Sequence, residues 1–425
     1  MSSTRSRGAE PGNWRAAWSS ALLTGSRVAS ALVVNKIIAA YLGPSGLALV
    51  GQFQNFTAVV FGLSSGNVSN AVIATVAGAG DEEQRQRAVS TAIAVTALGT
   101  GAMALGVALA AHPIAAGALG DGALAPVLHG LALMMVPLIL NVVLLAVAAG
   151  LGQVRAFVAI NVGIAVFSVP VCWLMVVGYG IAGALLAAVV VNAAAVLATA
   201  AWLWRARPFP LRWLWAGIDA RASRRLAGLA AMTLSTIIAV PMAQFLVRQQ
   251  VVHEFGMVEA GHWQAALKTG EILLMGASVI VSLHFLPRFA HAGAGLKRSV
   301  LLAAGRVVVG LAMAGAVLAA AGGLVLPLLF SRDFVVATDL LPLQVAGDVL
   351  RGGVIVLQAA FLARARMASY VAVDLVYASV MIGVGMLWVP VRGTHGAVTA
   401  VVAASVCSLC AATLLLRRLS SAEAE

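Results

Sequence analysis

The sequence is poor in charged residues, and especially in acidic ones. Charged residues occupy 10% of the 425 positions, whereas an ordinary soluble domain has roughly a quarter. Only 15 residues are Asp or Glu, while 61% of the chain is apolar. This composition excludes a soluble globular protein of the usual kind and indicates a chain that lies mostly in lipid.

The chain also lacks the signatures of a cofactor-dependent or metal-dependent enzyme. Its 3 cysteines fall within apolar stretches and form no disulfide or metal-binding pattern. The histidines and glutamates of residues 253–262 lack the spacing of metal ligands. No Walker A motif is present in the sequence, which argues against an ATPase. We therefore predict no catalytic residues, no cofactor and no metal site.

Long apolar runs are what the sequence has instead. A helix needs roughly 20 apolar residues to cross the hydrocarbon, and the chain contains about twelve such runs. They lie at approximately 17–41, 46–78, 88–111, 123–149, 156–178, 180–204, 226–247, 258–287, 299–329, 338–363, 367–390 and 394–416. We predict an all-α polytopic membrane protein with about 12 transmembrane helices. The break at 205–225 has the composition of a cytoplasmic interfacial linker, and it separates six helices in 1–204 from six in 226–425.

The 27 basic residues are distributed unevenly between the breaks. The breaks on one side contain 19 of them, whereas those on the other side contain three, which are Arg248, Arg332 and Arg392. Basic loops stay in the cytoplasm. We therefore predict that the rich side is cytoplasmic and that both termini lie there. Because anionic headgroups account for most of these bases, the high pI does not indicate nucleic-acid binding.

Five bases lie inside the apolar runs: Arg27, Lys36, Lys268, Arg306 and Arg351. Each costs roughly 2.5–3.5 kcal/mol at the centre of the bilayer on insertion scales, so such residues mark a pathway or a binding site. Counting along each helix places Arg27, Lys268 and Arg351 at similar depths. Lys36 and Arg306 lie close enough to span ends to reach the interface.

Three acidic residues accompany these bases: Glu271, Asp348 and Asp374. Lys268 with Glu271, and Asp348 with Arg351, are spaced i,i+3, so each pair can meet on one helix face. One interpretation is that these pairs only make the charges tolerable in the membrane. The other is that the excess of bases lines a net-positive cavity, which suits an anionic substrate such as a diphosphate.

Two further features bear on such a cavity. Arg27 and Lys36 are nine residues apart, which points them to opposite sides of a straight helix, so Arg27 is the better cavity residue. The polar stretch that contains Asn67 could hydrogen-bond sugar hydroxyls or hold helices together. The candidate substrate-binding residues are Arg27, Lys36, Asn67, Lys268, Glu271, Asp348 and Arg351.

Several segments resemble, in their order along the chain, the Wzx-type polysaccharide flippases. They are NK at 35–36, GPSGL at 43–47, GHWQ at 261–264, LPR at 286–288 and QVAGDVLR at 344–351. The similarity runs from about residue 18 to residue 417 and is closest to the flippases of enterobacterial common antigen synthesis. The chain departs from that pattern in its richness in Ala and Arg and in Lys268, where a small polar residue is expected.

The resemblance implies membership of the multidrug/oligosaccharidyl-lipid/polysaccharide exporter superfamily, with two six-helix lobes around a central cavity that opens alternately to either side. It also implies the substrate, an undecaprenyl-diphosphate-linked oligosaccharide that moves from the cytoplasmic to the periplasmic leaflet of the bacterial inner membrane. A coupled proton or other cation, and a polysaccharide polymerase as partner, are compatible with this function.

Two other functions are compatible with a polytopic chain. An ion-coupled multidrug exporter of the same superfamily should favour acids in its cavity, because its usual cargo is cationic, whereas here the interior bases are in excess. A membrane-embedded polysaccharide polymerase or ligase places its chemistry on a large periplasmic loop, and no periplasmic break here much exceeds about 15 residues. We therefore predict a flippase and not an enzyme.

Overall fold

The computed structural model describes residues 11–65, 72–73, 82–205, 220–291 and 295–422. These residues are almost entirely helical and include no strand, which confirms the predicted all-α fold. The α-helices are α1 (Pro11–Ser65), α2 (Glu82–Leu109), α3 (Ala111–Ala118), α4 (Ala125–Gly150), α5 (Val154–Arg205), α6 (Ala220–Ile280), α7 (Leu286–His291), α8 (Leu296–Ala320), α9 (Gly322–Leu329), α10 (Leu341–Ala363), α11 (Met367–Arg392) and α12 (Thr394–Ala422). Short 3-10 segments cover Gly122–Leu124 and Arg332–Leu340, and Val281–Phe285 forms a π-helical turn.

Eight of the described segments are long and apolar enough to cross a membrane. Those within α1 and α5 contain 43 and 48 residues, about twice what one crossing needs. Large apolar side chains such as Leu109, Leu174 and Leu387 are exposed along these segments, as contact with lipid requires. The chain is an integral membrane protein, whereas the number of twelve crossings stays a prediction.

The longest helices each contain one glycine at which two arms join. Gly43 divides α1, Gly180 divides α5 and Gly256 divides α6, all with positive φ. At Gly256 the φ of 86° lies in a region that a side chain rarely tolerates. The two arms of α6 then run side by side, because Arg248 before the glycine reaches Gln264 after it.

These glycine turns lie together at one end of the bundle. The indole Nε1 of Trp173 donates to the Tyr41 hydroxyl at 3.1 Å, which joins the turns of α5 and α1. Gly261 lies against the backbone of Pro44, which joins the turns of α6 and α1. We call this end the kink end and the opposite end the far end. Basic residues at helix ends, such as Arg155 and Arg205, lie at the far end.

The helices pack in two groups that meet along α1 and α6. In the first group α5 contacts α1 and α4, and α4 contacts α2. In the second, α11 contacts α6 and α12, while α10 contacts α8 and α12. One large apolar core crosses the joint and includes Ile38, Leu47 and Trp263. The predicted lobe boundaries at 204 and 226 stay a prediction, because residues 206–219 lie outside the described residues.

Candidate functional site

A cavity of about 430 Å³ lies between α1, α5 and α6. Its wall is mixed, with apolar side chains interrupted by amides, hydroxyls and three charged groups. The polar and charged residues of the wall are Arg27, Ser30, Asn35, Gln54, Asn161, Ser168, Asn192, Lys268 and Glu271. Three of the residues predicted from the sequence, Arg27, Lys268 and Glu271, therefore face one space.

The first arm of α1 presents a helical stripe to this cavity. Arg27, Ala31, Val34, Asn35 and Ile38 line it, and their three- and four-residue spacing places them on one face. Towards the kink end, close packing of α1 on α6 closes the space, because Gly261 leaves room for the backbone of Pro44. The cavity therefore lies on the far-end side of this contact.

Arg27 is held by a neutral partner. Its Nη2 donates to Oδ1 of Asn161 at 2.5 Å, and Nδ2 of Asn161 donates to the Phe157 carbonyl at 2.8 Å, which fixes the direction of the amide. Within the described part of the chain, no carboxylate lies within ion-pair distance of Arg27. The positive charge of Arg27 is therefore not neutralised by a described residue, and it faces the cavity. Asn161 could not be identified from the sequence, because it lies on α5, 134 positions from Arg27 along the chain.

Lys268 and Glu271 form the ion pair that their spacing predicts. Nζ of Lys268 lies 2.8 Å from Oε2 of Glu271, and both residues line the cavity from α6. The Glu271 side chain is 44% exposed, so the pair is accessible from the cavity. A neutralised but accessible base can exchange its carboxylate for another anion.

The predicted pair of Asp348 and Arg351 is wrong. Arg351 binds Asp374 of α11 instead, with Nη2 2.8 Å from Oδ1, and its guanidinium lies 4.4 Å from the centre of the Tyr377 ring. Asp348 accepts hydrogen bonds from Nε2 of Gln344 at 3.1 Å. Residues at i,i+3 point about 60° apart, and α11 offers Arg351 a second helix with a carboxylate.

Asp348 and Arg351 therefore lie beside the cavity and do not line it. Asp348 points at Gly270 of α6, where a side chain would collide with its carboxylate. Gln358 donates to Asp374 at 3.0 Å and completes the cluster around Arg351. Of the three bases at similar depth, the structure brings Arg27 of α1 and Lys268 of α6 to one cavity, whereas Arg351 lies outside its lining.

The remaining two candidates lie elsewhere. Nζ of Lys36 donates to the carbonyl of Leu328 at 2.5 Å, at the end of α9, and Lys36 is absent from the lining of the cavity. This direction agrees with its position opposite Arg27 on the helix. Asn67 lies outside the described residues. Three or more His, Cys, Asp or Glu that could hold a metal ion do not occur together in the described ranges.

The sequence predicts that Arg248 lies in a break between spans on the base-poor side, and its position in a break is wrong. Arg248 lies within α6, and its side chain is buried with 1% exposure. Because α6 continues to Gly256 and turns back, Arg248 donates to Oε1 of Gln264 and lies 5.5 Å from the centre of the Trp263 ring. It is therefore a sixth interior base.

The sequence matches known transporters over nearly its full length. The lipid III flippases of Escherichia coli strain K12 and Shigella flexneri are each 25% identical to it over 400 residues, which is 92% of this chain and 95% of theirs. The chain matches no family model.

Solved structures of multidrug transporters share the fold. A MATE family transporter of the MOP superfamily in an inward-facing conformation superposes with a TM-score of 0.78 at 16% identity, covering 95% of this chain and 98% of that one. An outward-facing MATE structure gives a TM-score of 0.68 at 17% identity, with 98% and 97% covered. The resemblance found in the sequence is thereby confirmed: the chain is a relative of the lipid III flippases with the fold of the MOP-superfamily transporters.

Proposed function

We propose that this chain is a flippase that carries an undecaprenyl-diphosphate-linked oligosaccharide from the cytoplasmic to the periplasmic leaflet of the bacterial inner membrane by alternating access. The observation that carries the proposal is the uncompensated Arg27 in a cavity whose apolar wall also contains amides, hydroxyls and the Lys268–Glu271 ion pair. The lipid III flippases, as relatives over nearly the whole chain, support it further.

Arg27 would bind the diphosphate. A guanidinium can donate two parallel hydrogen bonds to phosphate oxygens, which a neutral amide cannot match. Since the present partner of Arg27 is the amide oxygen of Asn161, a phosphate can displace it without leaving a carboxylate unpaired. The released Asn161, together with Asn35 and Asn192, then offers amide groups to the sugar hydroxyls.

Lys268 and Glu271 would respond to the arrival of the substrate. A diphosphate near Lys268 competes with Glu271 for the ammonium group, since both offer anionic oxygens to it. Glu271 then loses its ammonium partner and can accept a different cation in its place. We propose that the pair couples substrate binding to the uptake of a proton or another cation, and that Asp348, which points at neighbouring Gly270, takes part.

The cargo lipid needs no enclosed site. A polyprenyl tail is as apolar as the bilayer, so it can remain between the helices while the charged headgroup occupies the cavity. The far end carries the basic helix ends, so by the positive-inside rule it faces the cytoplasm together with both termini. The cavity on that side of the kink-end contact would then receive the substrate from the cytoplasmic leaflet.

A multidrug exporter is the alternative that the shared fold suggests. A free carboxylate favours the binding of cationic drugs. The described wall of the cavity contains one acid, Glu271, and Lys268 neutralises it. The cavity therefore favours anionic cargo. Both the sequence relatives and the structural neighbours are transporters, and they give no support to a polysaccharide polymerase or ligase.

Transport by the purified protein tests the proposal. Proteoliposomes would contain an undecaprenyl-diphosphate-linked oligosaccharide, and an impermeant glycosidase would report the fraction of glycan that has changed leaflet. We expect the protein to accelerate this exchange and to leave the efflux of a cationic dye, driven by a proton gradient, at the level of empty vesicles. Dye efflux without glycan movement would establish the exporter instead.

A further inference from the structure

Arg248 is the most deeply buried cation in the described structure. Its side chain lies between the two arms of α6, with 1% exposure. The Trp263 ring lies 5.5 Å from its guanidinium carbon, and Oε1 of Gln264 accepts a hydrogen bond from Nη2. Both neighbours are neutral. Burying a guanidinium between neutral neighbours costs free energy, so such a residue indicates a functional position.

The hydrogen bonds of Arg248 are incomplete. Nε and Nη1 are buried without a hydrogen-bond partner, and no described carboxylate lies within ion-pair distance. The attraction of Glu271 reaches it only from further along α6. Arg351 differs in having a carboxylate, Asp374, at 2.8 Å, although its Nη1 also lacks a partner. Arg248 therefore has donors that are unused in the conformation described.

This residue lies directly behind the closed end of the cavity. Gln264, its partner, is one helical turn from Lys268 of the cavity wall, and Gly51, against which Gln264 packs, is one turn from Gln54 of the wall. The contact of Gly51 with Gln264 forms part of the joint between α1 and α6. Separation of that joint would uncover Gln264 first and Arg248 behind it.

Arg27 and Arg248 share one arrangement. Each donates to the side-chain amide oxygen of one residue, Asn161 or Gln264, and neither has a carboxylate. Arg27 faces the cavity on the far-end side, whereas Arg248 lies behind the contact that closes the kink end. The two residues thus offer equivalent anion-binding groups on the two sides of one closure.

We propose that Arg248 is a second diphosphate-binding residue, concealed while the kink end is closed, which takes over the substrate when α1 and α6 separate there. This inference rests on the proposed flippase function. In the closed form the diphosphate binds Arg27; on opening, Arg248 exchanges the Gln264 amide for a phosphate oxygen and uses its two free nitrogens. Release into the periplasmic leaflet then restores the bond to Gln264.

The test compares Arg248→Met with Arg392→Met. Arg392 also lies at the kink end and also contacts a tryptophan, Trp388, at 4.5 Å, but on the exposed surface. Three quantities would be measured: leaflet exchange of the lipid-linked oligosaccharide, binding of undecaprenyl diphosphate in detergent, and the apparent melting temperature. If Arg248 only stabilised the fold, its replacement would lower the exchange rate, the affinity and the melting temperature together.

We expect Arg248→Met to melt at the wild-type temperature or above, since it removes a buried uncompensated charge. It should bind undecaprenyl diphosphate within about twofold of wild type through Arg27, yet exchange the glycan at least about tenfold more slowly, the loss of one charge-assisted hydrogen bond. Arg248→Lys should be intermediate, because it keeps the charge but loses the planar fork. Arg392→Met should resemble wild type.

Glycan exchange by Arg248→Met at the wild-type rate would overturn the inference while leaving the flippase function intact. Failure of the wild-type protein itself to move the glycan would instead refute the proposed function. If the Met variant does not fold, Arg248→Gln takes its place. Slower glycan exchange by that variant would then support the inference, and exchange at the wild-type rate would overturn it.

Discussion

The two halves of the molecule hold their interior cations differently. In the first half Arg27 has only the amide of Asn161 as a partner. In the second half Lys268 is paired with Glu271, and Arg351 with Asp374, while Arg248, outside the cavity wall, has only the amide of Gln264. A carboxylate partner neutralises the charge of a base, whereas an amide partner orients the base without neutralising it. At the cavity the halves therefore contribute unequally: the first provides an unpaired positive charge, and the second provides an ion pair that can exchange.

Loss of Asp374 should give the largest effect, and it should act on stability. The Asp374→Ala variant leaves Arg351 buried without its carboxylate, which typically costs about 3–5 kcal/mol. We expect a clearly lower apparent melting temperature in detergent. Glu83→Ala is the matched control, because it breaks an ion pair with Arg87 whose side chains are more than half exposed, worth about 0–1 kcal/mol.

The combined change of Asp374→Leu and Arg351→Met sharpens this result. Replacing a buried ion pair by apolar residues is often neutral, so the double variant should recover most of the stability. If instead it remains as unstable as Asp374→Ala, packing around Tyr377 and not charge pairing would explain the cluster.

Replacement of Arg27 should act on binding and leave stability unchanged. The Arg27→Gln variant loses a charge-assisted contact worth about 1.5–3 kcal/mol, so undecaprenyl diphosphate should bind roughly 10- to 100-fold more weakly. Arg306→Gln, an exposed arginine of α8 that does not line the cavity, is the control. Equal affinity of both variants, measured by titration of the purified protein, would contradict the assignment of Arg27.

Neutralising Glu271 should have a smaller effect with the opposite sign. The Glu271→Gln variant frees Lys268 for the substrate, and a partly exposed ion pair is worth about 0–1 kcal/mol. We expect undecaprenyl diphosphate to bind up to about fivefold more tightly, and the dependence of transport on a proton gradient to weaken. Asp339→Asn at the exposed kink end should change neither quantity.

Lys36→Met should have the smallest effect on binding. Its hydrogen bond with the Leu328 carbonyl is exposed, and the residue does not line the cavity. Affinity for undecaprenyl diphosphate should stay within about twofold of wild type, given the small value of exposed interactions. A loss as large as that of Arg27→Gln would show that α1 rotates during transport.

Much of the fold follows from the sequence, because lipid imposes simple constraints. Long apolar runs gave an all-helical membrane protein, and helical geometry separated Arg27 from Lys36. The spacing of Lys268 and Glu271 predicted their ion pair. These are properties of single helices, in which the relative directions of side chains depend only on the number of residues between them.

What the sequence did not predict depends on contacts between helices. The i,i+3 spacing allowed Asp348 to meet Arg351, but Asp374 on α11 offered a better position. Asn161, which orients Arg27, is 134 positions away along the chain. Arg248 was misplaced because the apolar run ends at about residue 247 while the helix continues to Gly256. A span boundary drawn from hydropathy treated an interior residue as part of a loop.

The turn at Gly256 constrains the number of residues in each arm of α6. Arg248 lies eight residues before Gly256 and Gln264 lies eight residues after it. Their hydrogen bond therefore requires the two arms of the hairpin to keep equal lengths. One residue inserted between 249 and 255 would rotate Arg248 by about 100° around its arm and shift it by about 1.5 Å. The guanidinium would then face lipid, and the chain's tolerance to such insertions should be least in this hairpin.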